Sequence, residues 1–175
     1  MAQKLVQGDK LPPITLKLTD GGTLALPEQL PGRYLALLFY RGHWCPYCRR
    51  HLTSYQENLA ELTSLSVSVV AASVDTLEQS QAVVSELGLT FPVAYGVSEA
   101  DVAEMDPWIG VRENKDRYIQ PMELLVLRGG TIFGSLYGSG PVGRMGVDEV
   151  LNSVHGREKR RMEQERAHAE TAGTR

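Results

Sequence analysis

Residues 34–48 read YLALLFYRGHWCPYC and contain both cysteines of the 175-residue chain. The run Tyr34–Tyr40 is continuously apolar, as expected of a strand that is covered on both faces of a sheet. After Cys48, apolar residues recur at steps of three and four, which predicts a helix. The sequence therefore places a Cys-x-x-Cys pair at a strand-to-helix junction, where such pairs are more often working dithiols than structural ones.

The position of Cys45 predicts an ionised thiol. Pro46 suits the first helical position because its missing N–H would have no partner there, which makes Cys45 the N-cap residue. Free backbone N–H groups and the helix dipole favour a thiolate at this position. Such sites commonly lower a cysteine pKa from ~8.5 to ~3.5–7.5. We therefore expect Cys45 to be a reachable nucleophile, and Cys48, one turn later, to close a disulfide with it.

Composition narrows the class of protein. A hydrophobic fraction of 42% over 175 residues predicts one globular domain, and a net charge of −3 gives no support for nucleic-acid binding. Two cysteines are too few for a disulfide-stapled secreted scaffold. The N-terminus MAQKL lacks the apolar core of a signal peptide, and no apolar stretch reaches the ~18–20 residues of a membrane span. These features predict a cytoplasmic protein; the alternative is that an export segment once preceded it.

The rest of the chain alternates predicted strands and helices. Asp20-Gly21-Gly22, between two alternating segments, predicts an N-terminal hairpin. A valine-rich strand is predicted at 67–74, followed by a helix that opens with a Thr76/Gln79 capping box and ends near Gly88. The helix after the cysteines buries one face, formed by Cys48, Leu52, Tyr55, Leu59 and Leu62.

Shorter elements complete the pattern: a strand at 91–94, a helix at 99–105 and a hairpin at 122–137 around Gly129-Gly130. A last amphipathic helix carries Val147, Val150, Leu151 and Val154. This order predicts an α/β fold with a mixed central sheet, helices on both faces and an N-terminal β-hairpin.

The composition changes after Gly156. Residues 157–175 hold four acidic and six basic residues but only Met162 as a large apolar group. Such a segment buries little surface. We therefore predict a domain at 1–156 and a charged C-terminal tail at 157–175, either a frayed helix or disordered.

Taken together, these motifs resemble the thioredoxin superfamily, and in particular its redoxin branch. That branch is the alkyl hydroperoxide reductase/thiol-specific antioxidant group, which includes the peroxiredoxins. The resemblance covers roughly residues 5–155 and implies a thioredoxin-like fold and an antioxidant oxidoreductase. The matching segments are 8–10 with Pro12-Pro13, 16–26, 39–49, 72–75 and 89–93.

Two groups typical of peroxiredoxins are absent. Their Pro-x-x-x-Thr-x-x-Cys signature would place the proline at Leu38 and the threonine at Gly42. Their thiolate-stabilising arginine falls at Pro121 when 124–130 is aligned with the family's late strand. Each such electrostatic group can be worth ~3–4 kcal/mol at a transition state. The two absences therefore disfavour fast peroxide reduction.

A proline at position 121 instead resembles thioredoxins, in which a cis-proline faces the dithiol. On that interpretation the backbone beside Gln120 would pair with an extended substrate; the alternative is a plain turn proline. The Pro46-Tyr47 dipeptide between the cysteines resembles that of glutaredoxins. Trp44 and Tyr47 are candidates for an apolar substrate rim, with simple packing as the alternative.

Charged and polar neighbours of the cysteines leave further alternatives open. Arg41 and Arg49 either favour the thiolate or are ordinary surface residues. The polar stretch 112–118 is interpreted as a loop whose distance from the site the sequence does not give.

Zinc binding is a further alternative. His43, Cys45, Cys48 and His51 are enough in number for a tetrahedral site. Because Cys48 shares its helical face with Leu52 while His51 points elsewhere, we predict no metal. A buried structural thiol pair is the other alternative.

These observations predict a thiol oxidoreductase. Cys45 attacks a disulfide or related oxidised substrate, and Cys48 displaces the product. The chain carries no reductase or flavin motif, so no cofactor is predicted and a separate thioredoxin-like or glutathione-based donor supplies the electrons. Partners implied by the resemblance are this donor, a protein disulfide or hydroperoxide, and a second copy in a homodimer. A slow two-cysteine peroxide reductase and a non-enzymatic redox sensor or metal-binding module are the alternatives.

Overall fold

The computed structural model describes residues 1–174. The strands of this region are β1 Ile14–Leu18, β2 Thr23–Leu26, β3 Tyr34–Phe39, β4 Val67–Ala72, β5 Val93–Tyr95, β6 Ile109–Val111, β7 Arg117–Ile119, β8 Met122–Leu127 and β9 Ile132–Tyr137. The helices are α1 Pro46–Glu57, α2 Leu59–Ser64, α3 Leu77–Leu87, α4 Glu99–Val102 and α5 Val147–Ala172, with a 3₁₀ turn at Ala103–Met105.

Seven strands form a mixed sheet in the order β2-β1-β5-β4-β3-β8-β9, and β6 and β7 form a separate hairpin. The central strand β3 runs parallel to β4 and antiparallel to β8. The N-terminal hairpin pairs Ile14 with Leu26 and joins the sheet through β5. The predicted α/β fold with a mixed central sheet and an N-terminal hairpin is confirmed.

Two apolar layers hold this sheet between them. Alternate residues of β3 enter opposite layers: Ala36 and Leu38 face one, and Leu35 and Leu37 the other. Helices α1, α2, α3 and α5 cover the first layer, whereas the N-terminal segment, α4 and the 3₁₀ turn cover the second. Helices thus flank both faces, although unequally. Full burial of each large apolar side chain contributes about 1.5–3 kcal/mol.

The capping predictions for α3 are confirmed. Thr76 and Gln79 form the predicted capping box, and Gly88 ends the helix in the left-handed conformation with φ +62°. The helix after the cysteines differs from its prediction, because it is interrupted at Asn58. The side-chain amide of Asn58 donates a hydrogen bond of 2.8 Å to the Ser54 carbonyl, which competes with the helical pattern.

The hairpin β6–β7 was not predicted, since 112–118 was interpreted as a loop. Its strands are three residues each, too short to display a period, and a polar turn joins them.

Residues 157–172 continue helix α5 and are largely exposed. The boundary predicted at residue 156 therefore falls inside a helix and stays a prediction. Within residues 1–174 no helix combines the length and apolar character needed to cross a membrane.

Sheet register brings three loops to one edge. Phe39, at the end of β3, pairs with Ala72 at the end of β4 and with Met122 at the start of β8. The segments after Phe39, after Ala72 and before Met122 therefore meet there. The cysteines lie in the first of these segments.

Candidate functional site

The cysteine pair lies at the start of α1, as predicted. Cys45 is the N-cap, with extended backbone angles of φ −89° and ψ 112°, and Pro46 follows at the first helical position. The Cys48 N–H donates a hydrogen bond to the Cys45 Sγ over 3.3 Å. Both cysteines are free thiols.

Both thiols are also buried, which corrects the expectation of a reachable sulfur. Cys45 is 0% exposed and Cys48 is 1% exposed. The cover over Cys45 includes two guanidinium groups, which belong to Arg41 and Arg144 and lie 3.8 Å and 3.7 Å from its Sγ. Both arginines are themselves partly exposed, so the sulfur lies below the ends of flexible polar side chains.

Hydrogen bonds lower the pKa of Cys45 to about 5. The largest cause is the hydrogen bond from the Cys48 thiol; burial opposes it, and the Cys48 N–H, the charge of Arg144 and Arg41 add to it. The same thiol–thiolate bond, followed by burial, raises the pKa of Cys48. Cys45 is therefore a thiolate at neutral pH and Cys48 a thiol, which suits the first to attack and the second to resolve.

Arg144 is the site residue that sequence reasoning missed. Its Nη2 lies 3.1 Å from the Cys48 Sγ, so one guanidinium spans both sulfurs. Arg144 lies in the glycine-rich segment between β9 and α5, 99 residues from Cys45. The only local signal in the sequence is a basic residue in the segment that leads from β9 into α5. Arg41, in contrast, was a candidate and does contact the sulfur.

A buried carboxylate holds the chain next to Arg144. Glu123 on β8 is 2% exposed and accepts a hydrogen bond of 2.7 Å from the Met145 N–H. The Tyr55 hydroxyl donates to the Met145 carbonyl over 2.8 Å, and the His51 Nε2 lies 2.7 Å from the Glu123 carboxylate. Both backbone polar groups of Met145 are thus held by side chains of the core, which fixes the base of Arg144.

The two histidines of the zinc alternative are engaged elsewhere. The His43 Nδ1 lies 2.9 Å from the Asp75 carboxylate, and His51 pairs with Glu123. Residues 1–174 contain no group of three or more His, Cys, Asp or Glu side chains placed to hold a metal ion.

The predicted cis-proline is wrong. In residues 1–174 the cis peptide bond is Leu26–Pro27, so Gln120–Pro121 is trans. The Gln120 N–H donates to the Trp108 carbonyl over 2.8 Å, and both Gln120 and Pro121 are buried. The hairpin β6–β7 brings Trp108 to this position, so the N–H of Gln120 is not available to pair with an extended substrate.

Glycine at the family's threonine position has a steric reason. Gly42 has φ +152°, and a Cβ built on it would lie 2.5 Å from the Trp44 Nε1. Trp44 packs edge-on against Tyr118, with ring centroids 5.0 Å apart. The indole thus occupies the space that a threonine side chain would need.

The remaining candidates either lie at the surface near the sulfurs or form an ion pair. Pro46 and Tyr47 are exposed beside the buried sulfurs, and Trp44 is half-buried. Arg49 forms an ion pair of 2.5 Å with Glu86.

The fold and the Cys45–Cys48 site define a redoxin: a thioredoxin-like sheet with a dithiol at the start of a helix. A model of the AhpC/TSA family matches residues 7–132, and the chain belongs to that family. It is a peroxiredoxin-like oxidoreductase. Proteins of this family typically use thioredoxin-like reductants and peroxide substrates and often form dimers.

Proteins named as peroxiredoxins match parts of the chain. A Mycobacterium tuberculosis protein named as a peroxiredoxin is 30% identical over 115 residues, which cover 66% of this chain and 70% of that protein. A peroxiredoxin of Methanothermobacter thermautotrophicus is 31% identical over 68 residues, which cover 39% of this chain and 32% of that protein.

Solved structures share the fold at low identity. Peroxidoxin BcpB from Mycobacterium tuberculosis superposes with a TM-score of 0.74 at 13% identity, covering 87% of this chain and 97% of that one. Reduced Prx3 of Vibrio vulnificus, in complex with hydrogen peroxide, gives 0.75 at 15% identity, covering 88% and 98%.

Proposed function

We propose that this protein is a two-cysteine hydroperoxide reductase in which Cys45 attacks the peroxide and Cys48 forms the internal disulfide. The observation that carries the proposal is the Cys45 Sγ, a buried thiolate beneath the guanidinium groups of Arg41 and Arg144. A small oxidant reaches such a sulfur more readily than the disulfide of a folded protein does. The two guanidinium groups also offer donors for peroxide oxygen.

This order of preference reverses the one predicted from sequence. That prediction depended on two missing family groups, the threonine at Gly42 and the arginine at Pro121. Arg144 and Arg41 supply cationic donors from other segments, at 3.7 Å and 3.8 Å from the sulfur. A positioned donor of this kind can contribute ~3–4 kcal/mol at a transition state.

The chemistry balances within the pair. The Cys45 thiolate attacks one peroxide oxygen, the O–O bond breaks, and the departing oxygen takes a proton and leaves as an alcohol or water. Cys45 is then a sulfenic acid. The Cys48 sulfur attacks it, an S–S bond forms, and the hydroxyl leaves as water with the Cys48 proton. Two electrons have passed from the two thiols to the peroxide.

Thiol–disulfide exchange is the second candidate. It is favoured by Cys-Pro-Tyr-Cys at a helix start with a lowered pKa at Cys45. In either reaction Trp44, Pro46 and Tyr47 form the surface that a partner meets.

The reducing partner, compartment and assembly belong to the same proposal. We infer a thioredoxin-like or glutathione-based donor, a cytoplasmic location and a homodimer, with residues 1–156 as the redoxin domain. The family membership and the absence of a membrane-crossing helix in residues 1–174 support these inferences.

A single-turnover experiment separates the two candidates. The reduced protein is mixed either with hydrogen peroxide or with an oxidised protein disulfide, and tryptophan fluorescence follows the reaction. We expect oxidation by micromolar peroxide to be the faster of the two. Fast exchange with the protein disulfide and slow loss of thiols to peroxide would assign the second candidate instead.

Two variants identify the attacking sulfur. Cys48→Ser should stop at a sulfenic acid that a dimedone probe labels on Cys45. Cys45→Ser should lose peroxide reactivity. Retention of full reactivity by Cys45→Ser would contradict the assignment of roles.

A further inference from the structure

A cleft of about 430 Å³ opens beside Cys45, between the loop after β3 and the hairpin β6–β7. Small-molecule sites commonly span about 300–1,000 Å³, so the volume suits a compact ligand. The residues that line it are Arg41, Trp44, Val111, Arg112, Glu113, Asn114 and Tyr118, of which Val111, Glu113 and Asn114 are exposed.

Two cations in this cleft have no carboxylate partner, and once Cys45 is part of the disulfide Arg41 has no thiolate partner either. The guanidinium carbons of Arg41 and Arg112 lie 4.9 Å and 4.6 Å from the centre of the Trp44 ring. Within the described chain neither forms an ion pair, whereas Arg33 and Arg117 each pair with a glutamate. In a protein of net charge −3, two guanidinium groups on one ring outnumber the single carboxylate of the cleft, Glu113, and leave a local excess of positive charge that suits an anion.

Arg41 connects this anion site to the reacting sulfur. Its Nη2 donates a hydrogen bond to the Tyr118 hydroxyl over 2.8 Å, while its Nη1 lies 3.8 Å from the Cys45 Sγ. The Nε of Arg41 is buried without a hydrogen-bond partner. Arg41 therefore both lines the cleft and contacts the Cys45 sulfur.

We propose that the cleft binds the carboxylate of a small thiol and that this thiol reduces the Cys45–Cys48 disulfide. The proposal depends on the redox-active pair of the proposed function and names the class of its reductant. A thiol is favoured over a peroxide as the occupant because the attacking species is itself an anion. The guanidinium groups therefore attract both the carboxylate and the thiolate of the small molecule.

The reduction balances in two steps. The thiolate of the small molecule attacks the Cys45 sulfur, the Cys45–Cys48 bond breaks, and Cys48 leaves as a thiolate 3.1 Å from the Arg144 Nη2 before taking a proton. A second thiol then attacks the sulfur of the bound molecule. It releases Cys45 as a thiolate and the small molecule as its own disulfide, so that two thiols supply the two electrons.

The test begins with protein oxidised by diamide, so that it does not depend on peroxide. Stopped-flow reduction is measured with 3-mercaptopropionate, neutral 2-mercaptoethanol and cationic cysteamine, and each rate is divided by the thiolate concentration. We expect the carboxylate-bearing thiol to react about tenfold faster than the neutral one, as charge steering allows. The preference should shrink as salt rises from about 0.01 M to 1 M.

Arg112→Gln is the matched variant, because it removes charge from the cleft without touching either sulfur. We expect it to reduce the preference to about twofold while the neutral thiol keeps its rate. Arg117→Gln is the control, since Arg117 lies on the same hairpin but pairs with Glu99 outside the cleft. It should keep the full preference.

Three outcomes would overturn the proposal. One is equal rates for the carboxylate and neutral thiols in the unaltered protein. A second is a preference that Arg112→Gln leaves unchanged. The third concerns the reduced protein, which is oxidised in parallel by an anionic and by a neutral hydroperoxide. A preference for the carboxylate in this reaction, and not in the reduction by thiols, would assign the cleft to the oxidant. Failure of diamide to form the disulfide would instead reject the redox pair itself.

Discussion

Cys45 is both buried and ionised, two properties that oppose each other in most thiols. Burial penalises the charged sulfur and on its own would raise the pKa. The hydrogen bond from the Cys48 thiol outweighs this penalty, with help from the Cys48 N–H, Arg144 and Arg41. The site therefore keeps a reactive thiolate out of contact with bulk solvent.

The pH dependence of Cys45 follows from its pKa of about 5. The rate of reaction with peroxide should rise through pH 5 and level off by about pH 7. Because the folded pKa is below the unfolded value of ~8.5, the thiolate contributes stability that is complete above ~8.5 and is lost as pH falls toward 5. Arg144→Gln should move the kinetic midpoint upward. Arg50 is the control, since its guanidinium lies over the Tyr47 ring, 5.3 Å from the ring centre; Arg50→Gln should leave the midpoint unchanged. Identical midpoints in all three proteins would show that Arg144 does not stabilise the thiolate.

Gly42 offers a second test at the same scale. Restoring the family threonine by Gly42→Thr should lower both stability and peroxide reactivity, because a Cβ there meets the Trp44 Nε1 at 2.5 Å. Overpacking of this kind costs typically about 1–3 kcal/mol. Chemical denaturation measures the first effect and single-turnover oxidation the second. A faster reaction in this variant would mean that the threonine is compatible with the site.

At the scale of elements, the segment before α5 decides where Arg144 lies. Strand β8 contributes Glu123 and helix α1 contributes Tyr55, and together they hold the backbone of Met145. Neither Glu123 nor Tyr55 forms a hydrogen bond with a cysteine sulfur in the described part of the chain. By holding Met145, they nevertheless place the guanidinium of the preceding residue, Arg144, over both cysteines.

Glu123→Ala should release this segment. It leaves the buried Met145 N–H without its acceptor. An unsatisfied buried donor costs about 1–3 kcal/mol. We also expect the pKa of Cys45 to rise, measured by thiolate absorbance against pH, since Arg144 loses its fixed base. Glu123→Gln, which keeps an acceptor for the Met145 N–H, should change the pKa less. Loss of stability with no change in that pKa would limit Glu123 to a structural role.

At the scale of the whole molecule, the sheet brings together segments that are far apart in sequence. The loop after β3, the hairpin β6–β7 and the segment before α5 all contribute to the dithiol site. The second half of α5 points away from this site and is largely exposed. Its contacts with the domain include Glu158, which accepts a hydrogen bond of 2.7 Å from the Tyr34 hydroxyl.

Truncation after residue 156 tests the predicted domain boundary. The shortened protein should remain folded and lose about 1–2 kcal/mol of unfolding free energy, because it loses the Glu158 contacts with Tyr34 and Arg33. Its single-turnover rate with peroxide should stay within about twofold of the full chain. Aggregation or a noncooperative thermal transition would mean that the charged half of α5 belongs to the folding unit.

Features encoded by neighbouring residues were predictable from sequence. The apolar run of β3 predicts a central strand, Thr76 and Gln79 predict the start of α3, and Cys45 before Pro46 predicts an N-cap thiolate. Each depends on a local period or a cap, which a short window of sequence contains. The AhpC/TSA membership was equally available, since it depends on ordered motifs along one chain.

Other features were decided only by tertiary structure. Arg144 is 99 residues from Cys45, and Met145 is 22 residues from Glu123, so no local period relates them. The burial of Cys45 and the cleft beside it likewise depend on where three separate loops meet. The sequence by itself determined the dithiol and most of the elements, the hairpin β6–β7 and the break at Asn58 excepted. Only the packing of distant segments decided which charges surround it, because electrostatic contacts depend on distance in space and not on separation along the chain.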